Sequence, residues 1–332
     1  MRIRLVLLFS LLACTAAAQQ PDYTITPNRG PVAGGTEIRI TSREDLGTWP
    51  YGVIFGETHV PAVLHDSHTL VATTPAHLPG TVPVNIFQYD IGIATGLTFT
   101  FEGEAEDAFD RLLLPVYVPP IRGAFGSEFR TELRMALNRS ETRLPVYGLL
   151  PDGSPYELHT DTREIQGIEP SGKPGRFIYV PKGTAKDLVM NLRAFDVSRA
   201  RENFGTQIPI VPASEFATNG HESQIGIVGV PTSPRFRSKL RIYGTPEWGA
   251  VLNVDIETFN QWERRQVTLN PTDNPYEPSY AEISDLPEAG IINIWISVHT
   301  PPISALLPAP DIWAFVSVTN NETQHITTIT PR

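Results

Sequence analysis

The chain has 332 residues, of which 31 are proline and 25 glycine, with 41% hydrophobic and only 19% charged side chains. That balance describes a turn-rich globular protein of many short strands, long enough for two or three domains, and argues against a helical or disordered one. A formal net charge of −10 argues against nucleic acid as a partner, because phosphate binding needs clustered Lys and Arg.

Residues 1–18 read as an export signal. Arg2 and Arg4 precede the apolar run Leu5 to Leu12, and Ala16-Ala17-Ala18 supplies small residues for cleavage. The run is too short to span a bilayer, so no transmembrane segment is expected in the mature chain. A second reading takes Leu11-Leu12-Ala13-Cys14 as a lipobox, with Cys14 lipidated and anchoring the protein to the envelope. Simple secretion is favoured because the segment before Cys14 is short for that purpose. The expected location is therefore secreted, periplasmic or cell-surface. Cys14 is the single cysteine, which leaves no intramolecular disulfide and no thiol catalysis.

Residues 21–102 form the first expected domain. Pro27 and Gly30-Pro31 end a short strand, and Gly34-Gly35 supply a turn that needs φ > 0 or close backbone approach. Thr36 to Thr41 then alternates, with Ile38 and Ile40 on one face and Glu37 and Arg39 on the other. Further strands follow at Val53-Ile54-Phe55, Leu70 to Thr74, Thr81 to Ile86 and Leu97 to Phe101. This order of pieces resembles the IPT/TIG family of immunoglobulin-like domains over the whole segment. It departs where the family often shows Gly-x-x-Phe after the second strand, since Ser42-Arg43-Glu44-Asp45-Leu46 stands there. The resemblance implies an immunoglobulin-like β-sandwich with a non-catalytic role, and it names no ligand. IPT/TIG-like folds also occur in DNA-binding transcription factors, a branch set aside by the acidic balance and the export signal.

Residues 103–107 are acidic and contain glycine, the expected linker. Strands then resume from Leu112 to Val118, Phe129 to Leu137, Pro145 to Leu149, Phe177 to Val180 and Leu188 to Phe195, with a helical turn expected over Ser198 to Asn203. An internal repeat organises this half: Phe129-Arg130-Thr131-Glu132-Leu133-Arg134-Met135 returns as Phe236-Arg237-Ser238-Lys239-Leu240-Arg241-Ile242. Upstream, Leu114-Pro115-Val116 matches Ile208-Pro209-Ile210. Two related β-sandwich units are therefore expected, at 108–207 and 208–332. The pattern loosely resembles tandem β-repeats of exported bacterial proteins. The fold class is all-β: an immunoglobulin-like sandwich and two related sandwich units behind a cleaved signal peptide.

Catalytic motifs are missing. No Gly-x-Ser-x-Gly, His-Glu-x-x-His or phosphate-loop pattern occurs, and no metal or cofactor is expected. His65-Asp66-Ser67-His68 has metal-like density but reads better as a polar surface loop, because a structural site needs further ligands. Arg237, Lys239 and Arg241 share one strand face, a candidate stripe for an anionic glycan. Its counterpart Arg130, Glu132, Arg134 is mixed in sign, and cross-strand pairing explains both. Trp295 and Trp313 lie in apolar strands and are expected in the core. Trp49, Tyr51 and Trp248 fall beside Gly and Pro in expected loops, where exposed aromatics stack on sugars, and complete the candidate binding residues.

The expected function is that of an exported, non-enzymatic binding or adhesion-type protein contacting extracellular protein or polysaccharide. The rivals are a glycan-active enzyme with a carboxylate pair in residues 108–332 and a structural spacer without a specific ligand. The sequence carries no signal of oligomeric state.

Overall fold

The structure, a computed structural model, describes residues 22–88, 91–117, 120–137, 145–149, 155–159, 174–198, 205–217, 224–246, 248–299 and 310–331. The expected export signal with Cys14, and the helical turn expected beyond Ser198, lie outside these residues. The chain is all-β and divides into two compact units. The described residues up to Pro75, together with Gly80–Phe101, make the first; Ala76–Pro79 and the residues from Glu102 onward make the second.

The first unit holds β1 (Tyr23–Thr26), β2 (Arg29–Pro31), β3 (Glu37–Ser42), β4 (Tyr51–Phe55), β5 (Thr58–Asp66), β6 (Thr69–Thr73), β7 (Gly80–Gln88) and β8 (Ile91–Glu102). They form one sheet in the order β1-β3-β6-β5-β4-β7-β8-β2, antiparallel from β1 through β8. In β3 the expected alternation holds: Ile38 and Ile40 are buried while Glu37 and Arg39 face water. Gly34 and Gly35 sit at φ 72° and 79°, the left-handed region open to glycine without a Cβ clash. Their N–H groups donate to the carbonyls of Pro31 and Thr74, both at 2.9 Å, which ties the turn to β6. Phe55 meets Phe99 and Phe101 edge-on, with ring centroids 5.6 and 6.1 Å apart, in the packed interior.

The second unit begins in the stretch expected as a linker. Ala105 there starts α1 (Ala105–Ala108), and the Glu104 N–H donates to Asp107 Oδ2 at 3.4 Å, half of a capping box. The first sandwich follows with β9 (Phe109–Leu114), β10 (Ile121–Arg122), β11 (Glu128–Leu137), β12 (Pro145–Leu149), β13 (Pro155–His159), β14 (Arg176–Pro181), β15 (Leu188–Asp196), β16 (Thr206–Ile208) and β17 (Val211–Pro212). The second comprises β18 (Gln224–Pro231), β19 (Phe236–Gly244), β20 (Ala250–Glu257), β21 (Trp262–Leu269), β22 (Ser279–Ile283), β23 (Ile291–Val298), β24 (Ile312–Asn320) and β25 (Ile326–Ile329).

The two sandwiches repeat one topology. The sheet order β13-β12-β14-β9 in the first becomes β21-β20-β23-β18 in the second, and β11-β15-β16 becomes β19-β24-β25. The sequence repeat at Phe129 and Phe236 therefore marks equivalent strands, β11 and β19. Its upstream half does not carry over, because Ile208-Pro209-Ile210 belongs to the first sandwich: β16 pairs with β15, and β17 pairs with β9. Pro209 has no N–H for a ladder, so the chain leaves one sheet there and joins the other. Strand pairing thus carries the first sandwich past residue 208, through Pro212. Pro115 similarly stops β9 short of the expected Val118.

Leu112, Leu114, Leu133, Met135, Val146, Ile178, Val180 and Leu192 fill the first sandwich. Ile227, Leu240, Ile242, Leu252, Val254, Ile256, Ile294, Ile296 and Val316 fill the second. The outer sides of the two equivalent sheets then part ways. On β14 and β12, the outward Phe177, Tyr179 and Tyr147 are all buried. The Phe177 N–H donates to Tyr276 O and the Tyr179 hydroxyl to Pro275 O, each at 2.8 Å, so this side is packed under the β21–β22 loop of the other sandwich. Arg176 and Glu277, both nearly excluded from water, close a 2.5 Å ion pair across the same seam. Tyr243, fully buried, donates its hydroxyl to Pro115 O.

Candidate functional site

In the second sandwich the equivalent outer side is open around Glu257 and along the β21 edge, where Trp262, Arg264 and Gln266 are exposed, while Asn253 and Asp255 are buried at 9% and 6% exposure. Alternation along β20 sends Leu252, Val254 and Ile256 inward and Asn253, Asp255 and Glu257 outward. On β23 the isoleucines at 292, 294 and 296 go inward, which turns Asn293, Trp295 and Ser297 out. The edge strand β21 presents Trp262, Arg264 and Gln266, all exposed. Register then lines these up in rows: Gly226, Trp295, Asp255 and Arg264 across the sheet, with Asn293, Glu257 and Trp262 in the next row. Trp295 and Trp262 are thus roughly 10 Å apart across two strand spacings and roughly 7 Å apart along the strands.

Six of the polar side chains on this face, Asn253, Asp255, Glu257, Arg264, Gln266 and Asn293, are held by hydrogen bonds. Arg264 donates to both oxygens of Asp255, Nε to Oδ1 at 2.7 Å and Nη2 to Oδ2 at 2.9 Å. These bonds raise the guanidinium's affinity for its proton further above the ordinary arginine range. The Arg264 guanidinium carbon also lies 4.9 Å from the Trp262 ring centroid, a cation–π contact that orients the indole. Gln266 Nε2 donates to Asn253 Oδ1 at 3.1 Å, and Asn293 Nδ2 to Glu257 Oε2 at 3.4 Å. Asn293 Oδ1 accepts the Gly229 N–H at 3.1 Å. The Trp295 ring rests on Gly226, where a Cβ would come within 2.5 Å of it. Beyond the last pair, Glu257 with Trp262, the hairpin tip carries Phe259 at 96% exposure. Thr258 and Gln261 brace that tip with hydrogen bonds of 2.9 and 3.0 Å. Chemically this is a platform: flat indoles for the C–H faces of sugar rings, and fixed amides and a carboxylate for hydroxyls.

The residues singled out from sequence are distributed differently. Arg237, Lys239 and Arg241 do share the outer side of β19, but each is engaged. Lys239 and Arg241 both reach Glu282, at 2.9 and 3.4 Å, and Arg237 donates to Asn321 and Gln324 at 2.8 and 2.9 Å. On the equivalent strand, Glu132 binds Arg134 at 2.7 Å and Arg193 at 2.5 Å. The stripe is a set of cross-strand pairs. Tyr51 needs correction as a stacking residue. It is 8% exposed, its hydroxyl donates to Leu46 O and accepts from Gln88 Nε2, and burial pushes its ionisation up. It staples the Ser42–Leu46 loop, the segment where the chain departs from the family's usual pattern. Trp49 is exposed, in the same unit. Trp248 is exposed too, but precedes β20 at the end away from Trp262. Asp66 accepts the His68 N–H at 2.8 Å, the chief reason its carboxyl titrates low, and so closes a loop turn. Among the described residues no group of three or more His, Cys, Asp or Glu is placed to hold a metal ion.

Sequence reasoning put both Trp295 and Trp313 in the core. Trp313 is buried at 7% exposure, whereas Trp295 is half-buried on the outer face. The signal was present, since Trp295 shares its parity with Asn293 and Ser297 rather than with the isoleucines. Trp262 and Phe259 were missed because the β21 strand begins before Gln266, in a run of charged residues that reads as loop.

Residues 23–101 match the model of the IPT/TIG domain. No curated protein matches the chain. Among solved structures, SGBP-B from a complex xyloglucan utilization locus in Bacteroides uniformis aligns at a TM-score of 0.21 and 10% identity, over 93% of this chain and 98% of that one. InvD of Yersinia pseudotuberculosis gives 0.19 and 10%, over 93% and 97%. SGBP-B of the Bacteroides ovatus mixed-linkage glucan utilization locus, in complex with a mixed-linkage heptasaccharide, gives 0.17 and 10%, over 80% and 71%. None of the three superposes closely enough for its ligand to bear on this chain.

Proposed function

We propose, from the premise that residues 23–101 are an IPT/TIG domain, that the protein is an exported, non-enzymatic carbohydrate-binding protein. The outer face of β18-β23-β20-β21 is where it holds a polysaccharide. One observation carries this reading: Trp262 and Trp295 lie on the same water-facing side of one sheet, interleaved with amides and carboxylates already fixed by hydrogen bonds. Prior fixing lowers the entropy cost of binding. In the first sandwich the corresponding side is covered, so the open state is particular to the second copy. Export rests on Arg2, Arg4 and the apolar run after them, with lipidation of Cys14 as the alternative anchor.

Screening the purified protein on a glycan array, alongside Trp262→Ala and Trp295→Ala, tests the proposal. Polysaccharide binding that both substitutions weaken supports it. Binding indifferent to both, or none at all, overturns it. A glycan-cleaving rival would draw on Asp255 and Glu257, two residues apart on the same face, and predicts new reducing ends. Against it, both Asp255 oxygens are occupied by Arg264.

A further inference from the structure

Resting on the carbohydrate reading above, we infer that the polysaccharide held by this face is uncharged. The ionic side chains that the strands of the face turn outward are Asp255, Glu257 and Arg264, two carboxylates against one guanidinium. The guanidinium is already committed: its Nε and Nη2 donate to Asp255, and its carbon lies over the Trp262 ring. A uronate or sulfate group recognised in the usual way takes a bidentate arginine edge or a cluster of cations. Here the Nε–Nη2 edge is filled by the protein's own carboxylate, which also offsets the charge that an anion would need.

Glu257 adds to the discrimination. It is exposed, and the hydrogen bond to it comes from the neutral Asn293 amide at 3.4 Å, so a polyanion laid across the Trp262–Trp295 diagonal meets a negative charge midway. The cations of β19 offer no alternative dock, since Glu282 and the Asn321 and Gln324 side chains engage them. Beside these charges the face presents neutral groups: two indoles, and the amides of Gln266 and Asn293. Those groups suit hydroxyls and C–H faces.

The test is native affinity electrophoresis of the full-length exported protein through gels containing soluble polysaccharides. A neutral panel (a β-glucan, a galactomannan and an arabinoxylan) is set against polygalacturonate and heparin. Retardation by a neutral polymer is expected to persist as NaCl is raised from about 0.1 M to about 1 M, where the Debye length falls from about 10 Å to about 3 Å. Trp262→Ala should weaken it about tenfold or more, a difference of about 1.4 kcal/mol, and Trp262→Phe should restore part of the loss. Circular dichroism of each variant separates lost binding from lost fold. Retardation by the polyanions alone, abolished by salt, overturns the inference and leaves the carbohydrate reading standing. No retardation by either class overturns both.

Discussion

Gly226 lies directly beneath Trp295: a Cβ on residue 226 would stand 2.5 Å from the edge of the indole. The pair shares one row of the sheet, so the glycine is what lets the ring lie down on its neighbour strand. Gly226→Ala should lift the ring, cost about 1–3 kcal/mol through crowding, and weaken polysaccharide binding severalfold. Titration calorimetry beside urea denaturation separates the two effects. Unchanged affinity with lowered stability would remove Trp295 from the platform.

The seam between the two sandwiches supplies a second test. Arg176 and Glu277 form a 2.5 Å pair with 8% and 11% of their side chains exposed. Removing one partner strands the other charge in a poorly solvated place, so Glu277→Ala should destabilise the second unit by about 3–5 kcal/mol. Pairing Arg176→Met with Glu277→Leu should recover much of that loss, because the desolvation cost disappears along with the attraction. Urea unfolding of both variants reads the difference. If Glu277→Ala leaves the midpoint unmoved, the pair is not a tie between the sandwiches.

Glu282 makes stability depend on pH in one direction. Burial opposes its ionisation, but hydrogen bonds from Lys239 and Tyr280, with the charges of Arg241 and Lys239, hold the carboxyl below the ordinary glutamate range. A folded-state value below the unfolded one means that the unfolded chain binds the proton more readily. The contribution is therefore complete above the unfolded value of about 4.3 and is lost as pH falls through the folded one. The group is partly exposed and screened, so Glu282→Gln should cost no more than about 1 kcal/mol at neutral pH. It should also flatten the acid limb of the stability curve. An acid limb identical to wild type would contradict this.

Tyr243 is buried completely, and that burial drives its hydroxyl's ionisation well above the usual tyrosine range. In an alkaline titration followed by ultraviolet absorbance, Tyr243 should be among the tyrosines that stay protonated until the fold opens. Tyr243→Phe should remove that silent group and leave the Pro115 carbonyl unpaired at the seam, at about 1–3 kcal/mol. An unchanged count of silent tyrosines in the variant would count against the assignment.

Much of the fold is legible in local pattern. The Gly34-Gly35 turn, the alternation of Ile38 with Ile40, and the β11 and β19 repeat are written within a few residues each, and the structure shows them. What decides the candidate site is not local. Whether an outward tryptophan meets water or another sandwich depends on where Tyr276 and Pro275 come to rest, a hundred residues from Tyr179. Tyr51 is the same lesson in reverse: Gly and Pro nearby mark a loop, but its hydroxyl finds Leu46 across that loop and the ring is drawn inward. Cross-strand partners such as Glu282 also depend on register, which decides that Arg241 faces Glu282.

The covered side of the first sandwich limits how the protein can be cut for study. Phe177 and Tyr179, each 1% exposed, take their shelter from Tyr276 and the loop around it. A fragment ending between the sandwiches would present those rings, with Leu113 and Phe109 beside them, as one continuous apolar surface of the kind that drives aggregation. The first sandwich is therefore a poor candidate for expression alone, and any truncation meant to isolate the outer face of β18-β23-β20-β21 should keep the whole second unit, Ala76–Pro79 included, together.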